Sequence, residues 1–218
     1  MNKRIEIIAS LIGVTDDLCD VGCDHGYIAK TALDLNKVKR VIVTDISEPS
    51  LNKAVNLLSE FYPDKFTAIL TDGLIGVPRS EQVLIAGMGG EEIIKILQKS
   101  TYKPVILILQ PMKNADKVRK YLHENGYGLE RDFMFYADKK YYEVMRAKIG
   151  YDDCYTEKEE IFGRENLARN PDFLSFIDKK IMETEKLLNT KMQENSRKTL
   201  SEKLLTYRGL KDEIKRNL

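Results

Sequence analysis

A chain of 218 residues, 25.1 kDa, is long enough to bury a real core and suits one domain with an appendage or two small domains. Thirty-five Lys and Arg against 34 Asp and Glu leave a formal charge of +1, which excludes indiscriminate attraction to nucleic acid and requires a polyanionic partner to meet a local patch. With 32 % charged and 43 % hydrophobic residues, wholesale disorder is excluded and a strongly solvated segment is expected.

The N-terminal MNKRIEIIASLIGVTDD alternates polar and apolar residues, without the long apolar core of a secretion signal, and no window is apolar enough to span a membrane. Cys19, Cys23 and Cys154 form no repeated Cys-x-x-Cys, and His25 and His123 are the only histidines, so no metal site is expected. The reading is a cytoplasmic protein with reduced thiols.

Up to about Gly150, β-branched runs alternate with amphipathic stretches, the pattern of βαβ units and a parallel sheet. The first predicted strand, 18–21, enters the turn Asp20-Val21-Gly22-Cys23-Asp24-His25-Gly26 before a helix over 27–35. Glycines there let backbone approach a ligand, and the following helix presents free amides. A dinucleotide turn needs a glycine at the middle position, where this chain has Asp24, whose carboxylate repels phosphate. A cationic ligand without phosphate suits it, and S-adenosylmethionine is such a ligand.

The second strand, 40–46, ends at Asp45 and Ile46, about 20 residues beyond the turn, where a carboxylate can accept ribose hydroxyls or cap the helix predicted over 49–61. The third, 66–70, runs into Thr71-Asp72-Gly73, where Asp72 can accept from an adenine amino group or serve only the turn. Three successive strands ending in Asp mark a crevice outside their C-terminal ends. The fourth, 82–86, leads into Gly87-Met88-Gly89-Gly90 and a helix over 91–98, a loop that clears space beside a reacting centre. The fifth, 105–109, ends at Gln110, whose amide both donates and accepts, and precedes a helix over 115–124. LERDFMFYA and EVMRAKI, parted by a turn at 138–140, read as a closing hairpin.

After Gly150 no β-like run recurs. Residues 151–218 carry 14 basic and 14 acidic side chains, with apolar stripes at Leu174, Ile177, Ile181, Leu188 and Met192 and at Leu200, Leu204, Tyr207, Leu210 and Ile214, interrupted near 193–198. An antiparallel helical hairpin is expected; one long helix, or a helix packed wholly on the first domain, is the alternative.

DVGCDHGY, VTDISEPSLNKA, TDGL, IAGMGG and LILQPM, in this order with the charged helical tail, closely resemble the bacterial tRNA adenine-22 N1-methyltransferase family over essentially the whole chain. The resemblance implies a Rossmann-like class I α/β domain over 1–150, with a seven-stranded, mostly parallel sheet ending in an antiparallel hairpin, and a helical coiled-coil domain over 151–218. It also implies S-adenosylmethionine as cofactor and tRNA as partner. Asp20, Gly22, Asp24, Gly26, Asp45, Asp72 and residues 87–90 fall on the family motifs. Asp20, Gly22, Cys23, Asp24, Gly26, Asp45, Ile46, Asp72, Gly73 and Gly87 make up the expected cofactor set, while Asp24, His25, Gly87, Met88 and Gly89 are the expected catalytic set. Tyr27, by stacking, Gln110, and Lys179 and Lys180 on the tail are candidates for substrate contact. After Asp45 such proteins often carry Glu-Gly-Pro, whereas this chain has Ser47-Glu48-Pro49. A nicotinamide-dependent oxidoreductase and a noncatalytic RNA-binding protein with a degenerate pocket are the competing functions, and a monomer is expected.

Overall fold

The computed structural model describes residues 2–217. The chain opens with a helix that the alternation of its first residues conceals. This is α1 (Lys3–Ser10), started by the Asn2 side chain, which accepts from the amides of Arg4 and Ile5. Ile8, Ala9, Leu11 and Ile12 are its buried anchor. The elements then follow as β1 (Thr15–Val21), α2 (Tyr27–Asp34), β2 (Val38–Asp45), α3 (Glu48–Phe61), β3 (Phe66–Leu70), β4 (Gln82–Met88), α4 (Gly90–Lys99), β5 (Ile106–Pro111), α5 (Ala115–Glu124), β6 (Tyr127–Ala137) and β7 (Lys140–Ile149).

The sheet has seven strands in the order β3-β2-β1-β4-β5-β7-β6. The first five are parallel, and β7 runs antiparallel to both β5 and β6. Asp138 and Lys139, both with positive φ, close the terminal hairpin. The chain winds outward from β1 to β3 and then returns to β4 on the other side of β1. The loops after β1 and β4 therefore part, and the crevice between them is the usual ligand position in such sheets.

Each face of the sheet has its own core. Leu18, Val41, Val43, Leu84 and Ile108 pack under α1, α2 and α3, while Val83, Ile85, Leu107 and Leu109 pack under α4 and α5. These strands alternate faces but are apolar on both, as a doubly covered parallel sheet requires.

The tail is more elaborate than a hairpin. Two short helices, α6 (Glu157–Phe162) and α7 (Arg164–Arg169), precede α8 (Pro171–Leu188) and α9 (Glu194–Asn217). A Thr156/Glu159 capping box starts α6, and the Asn170 side chain with Pro171 starts α8. The break between the long helices falls at 189–193, slightly before the expected interruption. Phe173, Ile177, Leu210 and Ile214 bury together with Leu167 and with Met134 of β6, so the pair forms a hairpin that is also anchored on the sheet. Among the described residues no helix is long and apolar enough to cross a membrane.

Candidate functional site

A cleft of about 440 Å³ opens at the C-terminal ends of β1, β2, β3 and β4. Its floor is the turn after β1. Gly22 and Cys23 donate their amides to the Thr44 carbonyl at 2.8 and 3.1 Å, which ties the turn to β2. Gly22, Asp24 and Gly26 all have positive φ, a conformation glycine adopts freely and Asp tolerates. Any side chain at Gly22 would also collide with the Met88 methyl group.

Asp20 points into this floor with 3 % of its surface exposed. Burial pushes its carboxyl up to about 7; the Ala29 amide opposes the rise and the nearby Asp45 charge adds to it. Among the described residues no Lys or Arg pairs with it. Asp45 spans two turns, accepting from the Ser47 amide at 2.8 Å and from the Asp24 amide at 3.3 Å. Ser47, not Asp45, caps α3. Asp24 meets Lys53 at 3.1 Å and His25 at 3.6 Å, and Asp72 meets Lys99 at 2.6 Å, all at the exposed rim.

The His25 and Tyr27 rings lie parallel, 9° apart with centroids at 5.4 Å, as a half-exposed aromatic step on the cleft wall. Ile46, Gly73, Gly87 and Met88 also line the cleft, with Ile46 largely exposed. Burial first, then the charge of Asp20, pushes the Cys23 thiol far up, so it stays protonated and is a wall residue rather than a nucleophile.

Four expected site residues lie elsewhere, and Gln110 lies beneath. Gly26 precedes α2 and packs against Ala54 of α3, and Gly89 caps α4 against Lys113. Gln110 is fully buried and does not line the cleft; its side-chain oxygen accepts from Arg4 Nε and Nη2. Lys179 and Lys180 sit on α8, outside the cleft, where Lys180 pairs with Glu183 at 2.9 Å and Lys179 lies over the Tyr141 ring. Conversely, Arg4, Ile5, Glu92 and Ile96 line the cleft although no motif singled them out, as does Thr71, which stood in the TDGL motif without an assigned role. For Arg4 and Ile5 a signal was present: Asn2 as a cap and apolar Ile5, Ile8 and Ile12 at helical spacing. Among the described residues no group of His, Cys, Asp and Glu is placed to hold a metal ion.

The arrangement suits a nucleoside carrying positive charge. Carboxylates from consecutive strand ends can accept from hydroxyl, amino and ammonium groups, while Asp24 at the turn disfavours pyrophosphate. Comparison with known proteins agrees. The profile of a methyltransferase domain family matches residues 1–145. The tRNA (adenine(22)-N(1))-methyltransferase of Bacillus subtilis is 30% identical over 160 residues, covering 71% of this chain and 67% of that protein. In fold, the chain is similar to M. capricolum TrmK in complex with S-adenosyl-homocysteine, with TM-score 0.87, 23% identity, and coverage of 98% of this chain and 99% of that one. It is also similar to Streptococcus pneumoniae Sp1610 in complex with S-adenosyl-L-methionine, with TM-score 0.85, 24% identity, and coverage of 97% and 99% respectively.

Proposed function

The chain belongs to the tRNA (adenine(22)-N(1))-methyltransferase family, and we propose that it transfers a methyl group from S-adenosylmethionine to N1 of the adenine at position 22 of tRNA. The observation that carries this reading is the convergence of Asp20, Asp45 and Asp72, from the ends of β1, β2 and β3, on one cleft.

The residues fit the donor. Asp45 would accept the ribose hydroxyls and Asp72 the adenine amino group, while Asp20 and Asp24 face the cationic end, with Gly22, Cys23, Ile46, Gly73 and Gly87 as walls and Gly26 holding the turn. When bound, S-adenosylmethionine supplies an electrophilic methyl group. Adenine N1 carries its own lone pair, so the protein need not remove a proton first. Its main task is alignment, worth up to about 7–11 kcal/mol. N1 lies on the pairing edge, so the base must leave its stack, and the His25–Tyr27 step offers it a flat surface. Methylation makes the base cationic; the Gly87 backbone carbonyl can stabilise that charge, and Asp24 or His25 can also take a proton from the amino group, whereas the Met88 and Gly89 carbonyls already accept from the amides of Met112 and of Glu92 and Ile93. Asp24 also opposes a pyrophosphate, which sets the nicotinamide reading aside.

Treating unmodified tRNA with the protein and S-adenosylmethionine, then mapping the product by nucleoside mass spectrometry and primer extension, is expected to give N1-methyladenosine at position 22. Donor and tRNA binding without turnover would instead establish a noncatalytic RNA-binding protein. Asp45→Ala is expected to weaken S-adenosylhomocysteine binding at least about tenfold by calorimetry, as loss of hydrogen bonds to a charged acceptor implies. Unchanged affinity would remove Asp45 from the ribose site.

We assign residues 1–150 to methyl transfer and 151–218 to tRNA contact, in a monomer acting in the cytoplasm. Deleting the tail is a poor test, because it would uncover Met134. Lys179→Ala with Lys180→Ala is the better one: tRNA KM should rise about 3- to 10-fold and its salt dependence should flatten. An unmoved KM would make this face a solvated surface only.

A further inference from the structure

The terminal hairpin carries a long side chain where its backbone favours none. Ala137 pairs with Lys140, so Asp138 and Lys139 alone form the turn, at φ +48 and +63. Asp-Gly or Asn-Gly fills such a turn without strain, because its second residue must hold a left-handed conformation that crowds a Cβ. This chain has a lysine there, followed by Lys140, and both are exposed. Among the described residues neither has an ion-pair partner, whereas Lys53, Lys99 and Lys117 of α3, α4 and α5 each hold a carboxylate. Asp138 offsets one of the two charges and leaves the tip net positive.

Antiparallel pairing puts this tip at the cleft end of the sheet. Leu109 faces Met145, so Pro111, the end of β5, lies level with Glu143, and the hairpin runs on to Lys140, about 10 Å further at roughly 3.3 Å per residue. Across the sheet, β7 stands two strands from β4, again about 10 Å. Contacts on both sides hold the tip between cleft and tail. Toward the cleft, Lys3 of α1 donates to the Tyr136 carbonyl at 2.8 Å, and the guanidinium of Arg4, a cleft residue, lies 5.3 Å from the centroid of the Tyr142 ring. Toward the tail, Asp172 of α8 accepts from the Tyr136 amide at 2.9 Å, the Tyr141 hydroxyl meets Ser175 Oγ at 2.8 Å, and Lys179 lies over the Tyr141 ring. We propose that Lys139 and Lys140 bind the phosphodiester backbone of the RNA next to the base that enters the cleft, joining the cleft to Lys179 on the tail. This assignment rests on the tRNA reading and extends it to a contact made by the methyl-transfer domain itself. A base drawn out of its stack needs its flanking backbone held, and phosphate contacts serve that positioning. Lysines that only keep a hairpin soluble need charge, but not charge at the left-handed position, where glycine would relieve the strain without disturbing any packing.

Steady-state methylation of unmodified tRNA over a range of salt concentrations, together with calorimetry of S-adenosylhomocysteine, tests the contact. Lys139→Gly combined with Lys140→Ala is expected to raise the tRNA KM about 3- to 10-fold and to lower its slope against log salt by about 1 to 2, since each phosphate contact contributes about 0.9. S-adenosylhomocysteine affinity should not move, which also shows that the variant is folded. Lys139→Gly alone should melt about 1–3 °C above wild type as the turn relaxes, so that RNA affinity falls while the fold gains. Lys139→Arg, which keeps both charge and strain, should keep the wild-type KM. An unchanged KM and slope in the double variant would overturn the assignment and leave a solvated turn, and a raised KM with an unchanged slope would overturn it by removing the phosphate. Wild-type protein that binds S-adenosylhomocysteine but neither binds nor methylates tRNA would overturn the tRNA reading itself.

Discussion

Asp20→Asn is expected to make the ligand-free protein more stable above pH 7 while removing most of its affinity for the methyl donor. With its carboxyl at about 7 in the folded chain, against an ordinary 3.8, Asp20 holds its proton more tightly folded than unfolded. Its contribution to stability is therefore complete below about pH 4 and is lost as pH rises to about 7. Above that, the native state carries a buried, unpaired carboxylate at a cost on the order of 4 kcal/mol relative to the acid limit. An asparagine amide can still accept from the Ala29 N–H and has no charge to desolvate. Urea unfolding at pH 5 and pH 8 should show the variant gaining on wild type between the two, and parallel profiles would refute the assignment. The same carboxylate is the partner proposed for the donor's ammonium, so S-adenosylhomocysteine affinity at pH 8 should fall about 10- to 100-fold in the variant. In wild type, affinity should decline as pH drops below about 7 and Asp20 takes up a proton. Such a site sacrifices stability to keep a charge ready for its ligand.

Arg119→Met is expected to destabilise the protein by about 3–5 kcal/mol, the usual consequence of leaving a buried charge without its partner. Arg119 is 0 % exposed and Asp132 1 %. Its Nε lies 3.1 and 2.9 Å from the two Asp132 oxygens, Nη2 lies 2.5 Å from Glu143, and Nη1 reaches the carbonyls of Glu160 and Ile161 at the end of α6. Burial opposes the guanidinium charge, but Glu143 and Asp132 outweigh it and keep the group protonated. One side chain thus joins α5, the terminal hairpin and the first tail helix. Its loss would strand Asp132, which also accepts from Tyr155, and free two carbonyls. At about 2–4 °C per kcal/mol for a chain of this size, melting should fall by about 10 °C. Donor binding at 25 °C should survive, because no residue of this cluster lines the cleft. Adding Asp132→Leu should recover part of the loss; a melting point unchanged in the single variant would remove Arg119 from this role.

Much of the fold was legible because its elements are locally encoded. The runs 66–70 and 115–124 coincide with β3 and α5, and the other predicted elements shift only at their ends. Such segments carry their own periodicity, caps and glycine stops. The N-terminal helix escaped because Arg4, Ile5, Glu6 and Ile7 also satisfy a two-residue alternation, and burial of Ile8, Ala9, Leu11 and Ile12 in the core decides for the helical period that the Asn2 cap also favours. The short helices α6 and α7 escaped because neither is long enough to show a stripe.

The cleft divides in the same way. Its acids were visible because strand ends and glycine turns are written in contiguous residues, so order along the chain already placed Asp20, Asp24, Asp45 and Asp72 near one another. Gln110 was visible too, but its role was not, since a terminal amide reads alike whether it faces ligand or supports another side chain.

By itself, then, the sequence determined a doubly wound sheet, the acid-lined end of that sheet and the charged helical tail, because propensity, hydrophobic period and turn chemistry act over a few residues. Only the tertiary structure decided that Arg4 enters the cleft against Gln110, 106 positions away, and that Arg119 binds the tail to the hairpin. Those contacts rest on long side chains meeting across folded layers, where desolvation and the partner's charge set the outcome and sequence separation conveys nothing about distance.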